Sequence, residues 1–527
     1  MSEYLIADTE YGKVRGEKII SEVGVPYIRF LGIPYAKPPV DNLRFQNPIK
    51  PSAWEGVVDA LVEPPPCAGK NNYIKQFVGS DDCLYLNIYT KNLNPEKKCG
   101  TIVYIHGGGF KSGSSTLYSY SPDYILMSDV VFVIFNYRLG PLGFVNFNDK
   151  SLNIPGNAGM KDQQMAMRFV RENIQHFGGD PDNITLMGHS SGASSVGLHC
   201  LAESSKGLFD KAVLMSGSPL GLECDILQLN WTKRLAEKLG YDEDLENDKD
   251  VLDFLNKADV LKMSEVGGNL ATEDEKKKLG VELVFAPHKE LYGTDSTFLL
   301  DSPIDLMKTA WSNDIDIMIG ATKDEGIGET EWNYLQHVLT ELVNPLDSPK
   351  AIELGEKLRS FYENEFKDQQ IAFDKFKADS FRWCIITRLI KSRQLAAGKG
   401  KTYLYKFAVD SPTQNHYRNR WFGLGSKGVS HADELSYFWK NGQGDVPPLD
   451  SMEFEAIKRF TSIFASFVNT GNPNNPEIGD VEWEPVNSEP YKGLIIDQKL
   501  AIDVLDETKR CLEFWNKLFE ENGAKFC

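Results

Sequence analysis

The sequence predicts an α/β protein built on a large, mostly parallel β-sheet with helices on both faces. Short runs rich in β-branched residues, bounded by Gly, Pro and Asn, are typical of buried strands, and they occupy 84–90, 101–107, 130–137 and 183–190. Between the last two runs, residues 158–179 carry apolar side chains at roughly helical spacing and end at a pair of glycines. This strand–helix–strand alternation favours parallel strands covered by helices.

The segments on either side extend the pattern. Residues 4–35 alternate polar and apolar residues around Gly12, Gly24 and Gly32, which predicts an antiparallel hairpin or meander. Strand character returns at 211–217, 316–326 and 401–410. Residues 240–280 are charged and helix-prone, so we expect a solvated helical insertion there.

The overall composition bounds the classes of partner. The chain shows no internal repeat, low-complexity tract or long linker, which favours one elaborated domain over residues 1–527. Its 75 acidic and 57 basic residues give a net charge of −18, which disfavours nucleic acid and anionic membranes. We find no secretory signal pattern and no apolar run long enough to cross a bilayer. We therefore expect a cytoplasmic protein without a nucleic-acid partner or a stable membrane anchor.

The eight cysteines are scattered and form no Cys-x-x-Cys pair. This spacing does not indicate a zinc site or a thioredoxin-type centre. In a cytoplasmic protein we expect reduced, mostly structural thiols rather than a disulfide framework.

Residues 188–192, "GHSSG", match the G-x-S-x-G pattern of a nucleophile elbow. In that motif a strand turns sharply into a helix, and the central serine has a strained backbone. Ser190 is therefore the candidate nucleophile, and the N–H of Ser191 points toward a developing oxyanion. The alternative is a tight strand-to-helix turn whose small residues serve packing alone.

A second glycine-rich motif, "YIHGGGF" at 104–110, directly follows a predicted strand. Consecutive glycines allow backbone N–H groups to approach a ligand without interference from a Cβ atom. Gly108 and Gly109 are therefore candidates to complete an oxyanion hole with the N–H of Ser191. A flexible glycine hinge is the alternative, but the two motifs together favour acyl transfer.

A nucleophilic serine needs a base and a group that orients the base. Among the histidines that follow Ser190, His431 lies where a Gly/Ser loop opens into a predicted helix, whereas His416 lies among polar residues and is expected at the surface. Asp324 and Glu325 both follow a predicted strand. The residues alone do not choose between these two acids.

Several stretches, in order along nearly the whole chain, together resemble the type-B carboxylesterase/cholinesterase family, and most closely its intracellular insect carboxylesterases of the alpha-esterase kind. These stretches are 30–45, 80–90, 104–110, 136–144, 156–163, 177–195, 324–326 and 430–435. The resemblance implies an α/β-hydrolase fold, with an N-terminal antiparallel β region and helical insertions around an active-site gorge. It also implies a nucleophile at Ser190, an acid at Glu325 and a base at His431. The oxyanion hole would consist of Gly108, Gly109 and the N–H of Ser191, and no cofactor or metal is needed.

The resemblance further implies structural contacts. Arg44 with Asp81, and Arg138 with Asp162, correspond to the family's internal salt bridges. The first disulfide of the family corresponds to Cys67–Cys83, a bond that a reducing cytosol disfavours.

Two positions depart from the family pattern. Ser191 replaces the usual alanine after the nucleophile, and its hydroxyl is expected to compete for nearby hydrogen bonds. His189 stands where cholinesterases carry a glutamate and juvenile hormone esterases typically carry a glutamine. An imidazole does not supply the anion that favours a cationic substrate, which argues against choline esters.

These observations predict a serine carboxylesterase for small to medium neutral esters, with a role in xenobiotic and insecticide metabolism. Organophosphates are expected partners because their tetrahedral phosphorus mimics the reaction intermediate. The alternatives are a slow-turnover binder that sequesters esters and organophosphates, or a hydrolase of lipid, hormone or pheromone esters. A catalytically inactive adhesion or binding relative is a further reading, although this chain keeps all three triad residue types.

Overall fold

The computed structural model describes residues 3–220, 230–279, 283–327, 341–343 and 346–527. Within these residues, a sheet of 13 strands forms the centre of the molecule, and β5 and β6 pair in a separate hairpin. The strands are β1 Glu3–Thr9, β2 Gly12–Ile20, β3 Pro26–Pro34, β4 Val57–Asp59, β5 Gly69–Asn71, β6 Gln76–Val78, β7 Tyr85–Thr90, β8 Cys99–Ile105, β9 Val131–Phe135, β10 Gly179–His189, β11 Lys211–Met215, β12 Asp316–Thr322, β13 Thr402–Phe407, β14 Lys492–Ile496 and β15 Ala501–Val504.

The large sheet is parallel in its middle and antiparallel at its edges. Its order is β1-β2-β3-β7-β9-β8-β10-β11-β12-β13-β14-β15, with β4 beside β2. Strands β9 through β14 in this order run parallel to one another, whereas β1, β2, β3, β7 and β15 form antiparallel pairs. The α/β class and the antiparallel meander predicted for residues 4–35 are therefore confirmed.

Helices cover the sheet and fill the connections between its strands. The described residues form α1 Leu117–Tyr120, α2 Gly140–Phe144, α3 Ala158–Asn173, α4 Ser191–Leu201, α5 Trp231–Leu239, α6 Asp248–Lys257, α7 Val260–Gly267, α8 Glu273–Leu279, α9 Pro303–Leu306, α10 Pro349–Glu365, α11 Gln369–Ala378, α12 Cys384–Leu395, α13 His416–Phe422, α14 Leu435–Phe438, α15 Met452–Thr470, α16 Asp506–Arg510 and α17 Asn516–Glu521. Of the described helices, none is long and apolar enough to span a bilayer.

The core lies on both faces of the parallel strands. In β8, Val103 and Ile105 face one buried cluster, and Ile102 and Tyr104 face another. A strand buried on both faces reads as a continuous apolar run, which is why the sequence identified β8, β9 and β10 correctly.

The charged segment 240–280 contains helices α6, α7 and α8, as its helix-prone composition predicted. Helices α6 and α7 turn one apolar side inward, where Val251, Leu255 and Met263 are fully buried. Their charged residues lie mainly on the opposite side, so the insertion packs on the body of the protein as an amphipathic layer.

The expectation of mostly reduced thiols is wrong for four of the eight cysteines. Cys67 pairs with Cys83, as the family resemblance implied, and Cys384 pairs with Cys511. The second pair joins positions 127 residues apart, so spacing along the chain gave no sign of it. Cys99, Cys200 and Cys527 are free, and residue 224 lies outside the described residues.

Both predicted internal salt bridges are present. Arg44 contacts Asp81 at 3.0 Å. Arg138 contacts Asp162 at 2.6 Å with both side chains essentially inaccessible to water.

Candidate active site

Ser190 lies in a sharp turn between β10 and α4. Its φ of 57° and ψ of −123° place it in a strained region of backbone conformation, and its N–H donates to the Met215 carbonyl at 2.9 Å. A Cβ atom on Gly188 would lie 2.4 Å from the Gly192 carbonyl oxygen, and one on Gly192 would lie 2.1 Å from the Ile105 carbonyl oxygen. Both flanking glycines are thus required for the turn.

The parallel register brings the other segments of the site to the same edge of the sheet. Gly188 on β10 pairs with Ile105 on β8 and with Leu214 on β11, and β12 lies beside β11. The residues that follow these four strands therefore meet around Ser190, as is usual at the carboxyl ends of parallel strands.

His431 and Glu325 form a continuous hydrogen-bonded chain with Ser190. The His431 Nε2 atom lies 3.0 Å from Ser190 Oγ, and its Nδ1 atom lies 2.7 Å from Glu325 Oε2. Of the two acids left open by the sequence, only Glu325 faces the imidazole. Asp324 instead accepts from the Val429 N–H at 3.1 Å, so it supports the loop that carries His431.

The other histidines after Ser190 lie elsewhere. His199 contacts Gln163, and His288 contacts Asn146, whereas His337 lies outside the described residues. The prediction that His416 lies at the surface is wrong, because this residue is 8% exposed and its Nδ1 atom lies 3.0 Å from Asn441 Oδ1. Its polar neighbours Gln414 and Asn415 are also buried, and their side chains donate to the carbonyls of Ser436 and Val409.

Burial and neighbouring charge set the protonation of the imidazole and its acid. Burial lowers the pKa of His431 below its usual value, although the Glu325 carboxylate acts in the opposite direction. Burial alone would raise the pKa of Glu325, but His431 and then Arg382 bring it well below the usual range. At neutral pH the pair is thus a carboxylate and a neutral imidazole, which is the state that a general base requires.

Sequence reasoning missed three side chains around the acid. Ser216, the first residue after β11, has its Oγ atom 2.6 Å from Glu325 Oε1 and 2.8 Å from Glu434 Oε1. Arg382 Nε lies 3.7 Å from Glu325 Oε2. Ser216 could have been found because it directly follows β11, the strand next to β10. Arg382 lies in a helical segment that carries no motif.

His189 adds a second imidazole beside the first. Its ring centroid lies 4.7 Å from that of His431, and its Nε2 atom lies 3.5 Å from the fully buried Glu434. His189, directly before the nucleophile, therefore lies against a carboxylate of the protein, and its own side chain is not an anion.

The glycine-rich loop lies across from Ser190. Gly108 and Gly109 both have positive φ angles, of 124° and 62°, and a Cβ atom on Gly108 would lie 2.2 Å from the Ser112 carbonyl oxygen. Ser191 is the first residue of α4, where a backbone N–H has no acceptor within the helix. The N–H of Gly109, in contrast, donates to Ser191 Oγ at 2.9 Å.

A small pocket opens beside Gly109. Glycines and apolar side chains make up most of its lining residues, and Lys111 and Ser264 are polar members. The larger apolar side chains are Pro141, Leu283, Val284 and Phe285. Among the described residues, no cluster of three or more His, Cys, Asp or Glu side chains could hold a metal ion.

This fold and site are typical of ester hydrolases of the α/β-hydrolase class. The model of the "Carboxylesterase family" matches residues 3–515. Esterase B1 of Culex pipiens is 34% identical, with 98% of each chain covered. Juvenile hormone esterase of Tribolium castaneum is 31% identical, with 92% of this chain and 86% of the relative covered.

The structural comparison agrees with the sequence comparison. The crystal structure of juvenile hormone esterase from Manduca sexta, with OTFP covalently attached, superposes with a TM-score of 0.83 at 25% identity, covering 98% of this chain and 100% of that one. The chain belongs to the carboxylesterase family, and it is a carboxylic ester hydrolase.

Proposed function

We propose that this protein is a serine carboxylesterase that hydrolyses small to medium neutral esters through an acyl-enzyme on Ser190. The observation that carries the proposal is the hydrogen-bonded chain from Ser190 through His431 to Glu325, with contacts of 3.0 and 2.7 Å. This chain combines a nucleophile, a general base and a group that orients the base.

The reaction proceeds in two halves. His431 Nε2 removes the proton of Ser190 as Oγ attacks the ester carbonyl, and the oxyanion is stabilised by the N–H groups of Gly108, Gly109 and Ser191. The alcohol leaves with the proton from His431. A water molecule, activated by the same imidazole, then attacks the acyl-enzyme and releases the acid.

The proposed substrate range follows from the surroundings of Ser190. The small pocket beside Gly109 has Pro141, Leu283, Val284 and Phe285 among its lining residues, and His189 supplies no anion for a quaternary ammonium group. The proposed range is therefore neutral esters, including xenobiotic esters and insecticides. Organophosphates should phosphorylate Ser190, because their tetrahedral phosphorus resembles the intermediate.

The test is a time course of purified protein with p-nitrophenyl esters of increasing acyl length, followed from the first milliseconds. We expect sustained turnover with an optimum of acyl length, and we expect Ser190→Ala to lose turnover without a change in unfolding temperature. One fast equivalent followed by near silence would instead establish a protein that sequesters esters. Undiminished hydrolysis by Ser190→Ala would refute the assigned nucleophile.

A hormone-ester hydrolase is the second candidate, and the similarity to two juvenile hormone esterases favours it. Competition between a juvenile-hormone-type methyl ester and 1-naphthyl acetate separates the candidates. A hormone esterase would prefer the methyl ester by orders of magnitude in kcat/KM, whereas a broad carboxylesterase would prefer the activated ester.

A further inference from the structure

The Ser191 hydroxyl lies inside the proposed oxyanion hole. Its Oγ atom accepts a hydrogen bond from the Gly109 N–H at 2.9 Å, across 82 positions of the chain, and the residue is 7% exposed. A backbone N–H has one hydrogen to donate. One of the donors that the proposed mechanism assigns to the oxyanion is therefore already engaged by the protein itself.

Hydrogen bonds hold the loop that carries the Gly109 donor in place. The Gly108 carbonyl accepts from the Ser112 N–H at 3.1 Å and from Ser112 Oγ at 2.7 Å, which fixes the loop. Freeing the Gly109 N–H thus requires rotation of the Ser191 side chain about its χ1 torsion rather than movement of the loop.

The Tyr137 phenol is a second neighbour of the Ser191 hydroxyl. Burial raises the pKa of the Tyr137 phenol, and a hydrogen bond with Ser191 acts in the opposite direction. The Tyr137 hydroxyl donates its own hydrogen to the His106 carbonyl at 3.1 Å. Its oxygen therefore remains available as an acceptor for the Ser191 O–H.

We propose that Ser191 is a positioning residue whose hydroxyl occupies the Gly109 donor in the free enzyme and releases it only to a charged oxygen. The inference rests on the proposed acyl-enzyme mechanism at Ser190. A neutral ester carbonyl and a hydroxyl oxygen are acceptors of similar strength, whereas an oxyanion forms hydrogen bonds about twice as strong. The exchange of acceptors thus occurs as negative charge develops, and rotation of the hydroxyl slows acylation.

A trifluoromethyl ketone is a suitable probe, because it forms an oxyanion without turnover. Ser190 Oγ adds to the ketone carbon, the π electron pair moves to the carbonyl oxygen, and the serine proton passes to His431 Nε2. The inhibition constant for this ketone and kcat/KM for p-nitrophenyl acetate are measured for the wild type, Ser191→Ala and Ser191→Gly. Ser194→Ala, on the same helix, is the matched control.

Both Ser191 variants are expected to bind the ketone about tenfold more tightly and to gain a similar factor in kcat/KM. This gain is smaller than the effect of a complete donor, which is about a hundredfold to a thousandfold. Inhibition by the alcohol product should not change, because the alcohol carries no oxyanion. Ser194→Ala should behave as the wild type in all three measurements.

Three results would overturn the inference. Unchanged or weaker ketone binding by both Ser191 variants, in a wild type that hydrolyses esters, would show that the hydroxyl does not compete for the donor. An equal change in alcohol affinity would show that the substitution reshapes the pocket instead. A wild-type protein that neither hydrolyses esters nor binds the ketone would overturn the proposed function together with this inference.

Discussion

His431 is an imidazole whose pKa results from opposing neighbours. Burial lowers the pKa, Glu325 raises it, and Arg382 lowers it again. Only the neutral ring can accept a proton from Ser190, so the proposed activity is lost as the pH falls through this pKa. We expect the acid limb of the kcat/KM profile to have its midpoint below about 6.5, the ordinary value for histidine.

Arg382→Gln tests the electrostatic part of this prediction. Removing the guanidinium removes a cation that lowers the pKa of His431, so the acid limb should move to higher pH. Lys375→Gln is the control, because Lys375 contacts Asp324 at 3.3 Å rather than Glu325. This prediction is wrong if the acid limb of Arg382→Gln stays in place or moves to lower pH, or if both variants shift equally.

Some residues of the site could be predicted from the sequence, and others could not. Ser190, Gly108 and Gly109 could be predicted because steric rules tie their motifs to a local turn, and the structure places these residues together. No motif pairs Ser216 with Glu434, although Glu434 lies in the stretch 430–435, because their contact exists only after segments 218 positions apart have come together. Chain spacing contains no information on such pairs.

The buried ion pair between Arg138 and Asp162 anchors α3 to the segment after β9. Asp162 on α3 accepts three hydrogen bonds from Arg138, from its backbone N–H and from two guanidinium nitrogens. The guanidinium also donates to the backbone carbonyls of Arg44 and Gln46. The pair therefore joins three separate segments beneath the site.

Asp162→Asn should destabilise the protein strongly, because it leaves a buried guanidinium without its counter-charge. The expected loss in the free energy of unfolding is about 3–5 kcal/mol, measured by urea denaturation. Asp59→Asn is the matched control: Asp59 pairs with Arg15 at 2.6 Å, but both side chains are about half exposed, so the loss should be much smaller than that of Asp162→Asn. Equal losses of unfolding free energy in Asp162→Asn and Asp59→Asn would show that burial of the Arg138–Asp162 pair does not determine the loss.

Burial explains which strands could be predicted from the sequence. The parallel strands of the middle are buried on both faces, so each appears as a continuous apolar run. Strands β14 and β15 were missed: β14 begins with Lys492 and Gly493 and has only three apolar residues, and β15 alternates exposed and partly buried residues. A short apolar run indicates that a segment is buried on both faces. It does not by itself indicate that the segment is a strand.

In the molecule as a whole, one of the two disulfides ties distant parts of the chain together. Cys384, the first residue of α12, bonds to Cys511, which directly follows α16. The pairing brings the C-terminal helices onto the segment that contains Arg382, close to the acid of the site. The cytoplasmic location remains a prediction, and the disulfides favour an oxidising environment instead.

Counting thiols tests whether the two disulfides are present in the isolated protein. The two disulfides engage four of the eight cysteines, so denatured protein purified without reductant should show four reactive thiols, and eight after reduction. Eight thiols before reduction would mean that neither bond forms. Mass spectrometry of unreduced peptides should recover Cys67–Cys83 and Cys384–Cys511.

Removing the longer link should cost more stability than removing the shorter one. A disulfide stabilises a fold mainly by restricting the unfolded chain, by about 3 kcal/mol for a loop of about 15 residues and about 4.7 kcal/mol for one of about 100. The two bonds span 127 and 16 positions, so Cys384→Ser/Cys511→Ser should lower the free energy of unfolding more than Cys67→Ser/Cys83→Ser. Cys99→Ser, at a free and partly exposed thiol, should leave it nearly unchanged. A larger loss from the shorter link would show that local packing around Cys67, rather than chain entropy, determines what these bonds contribute.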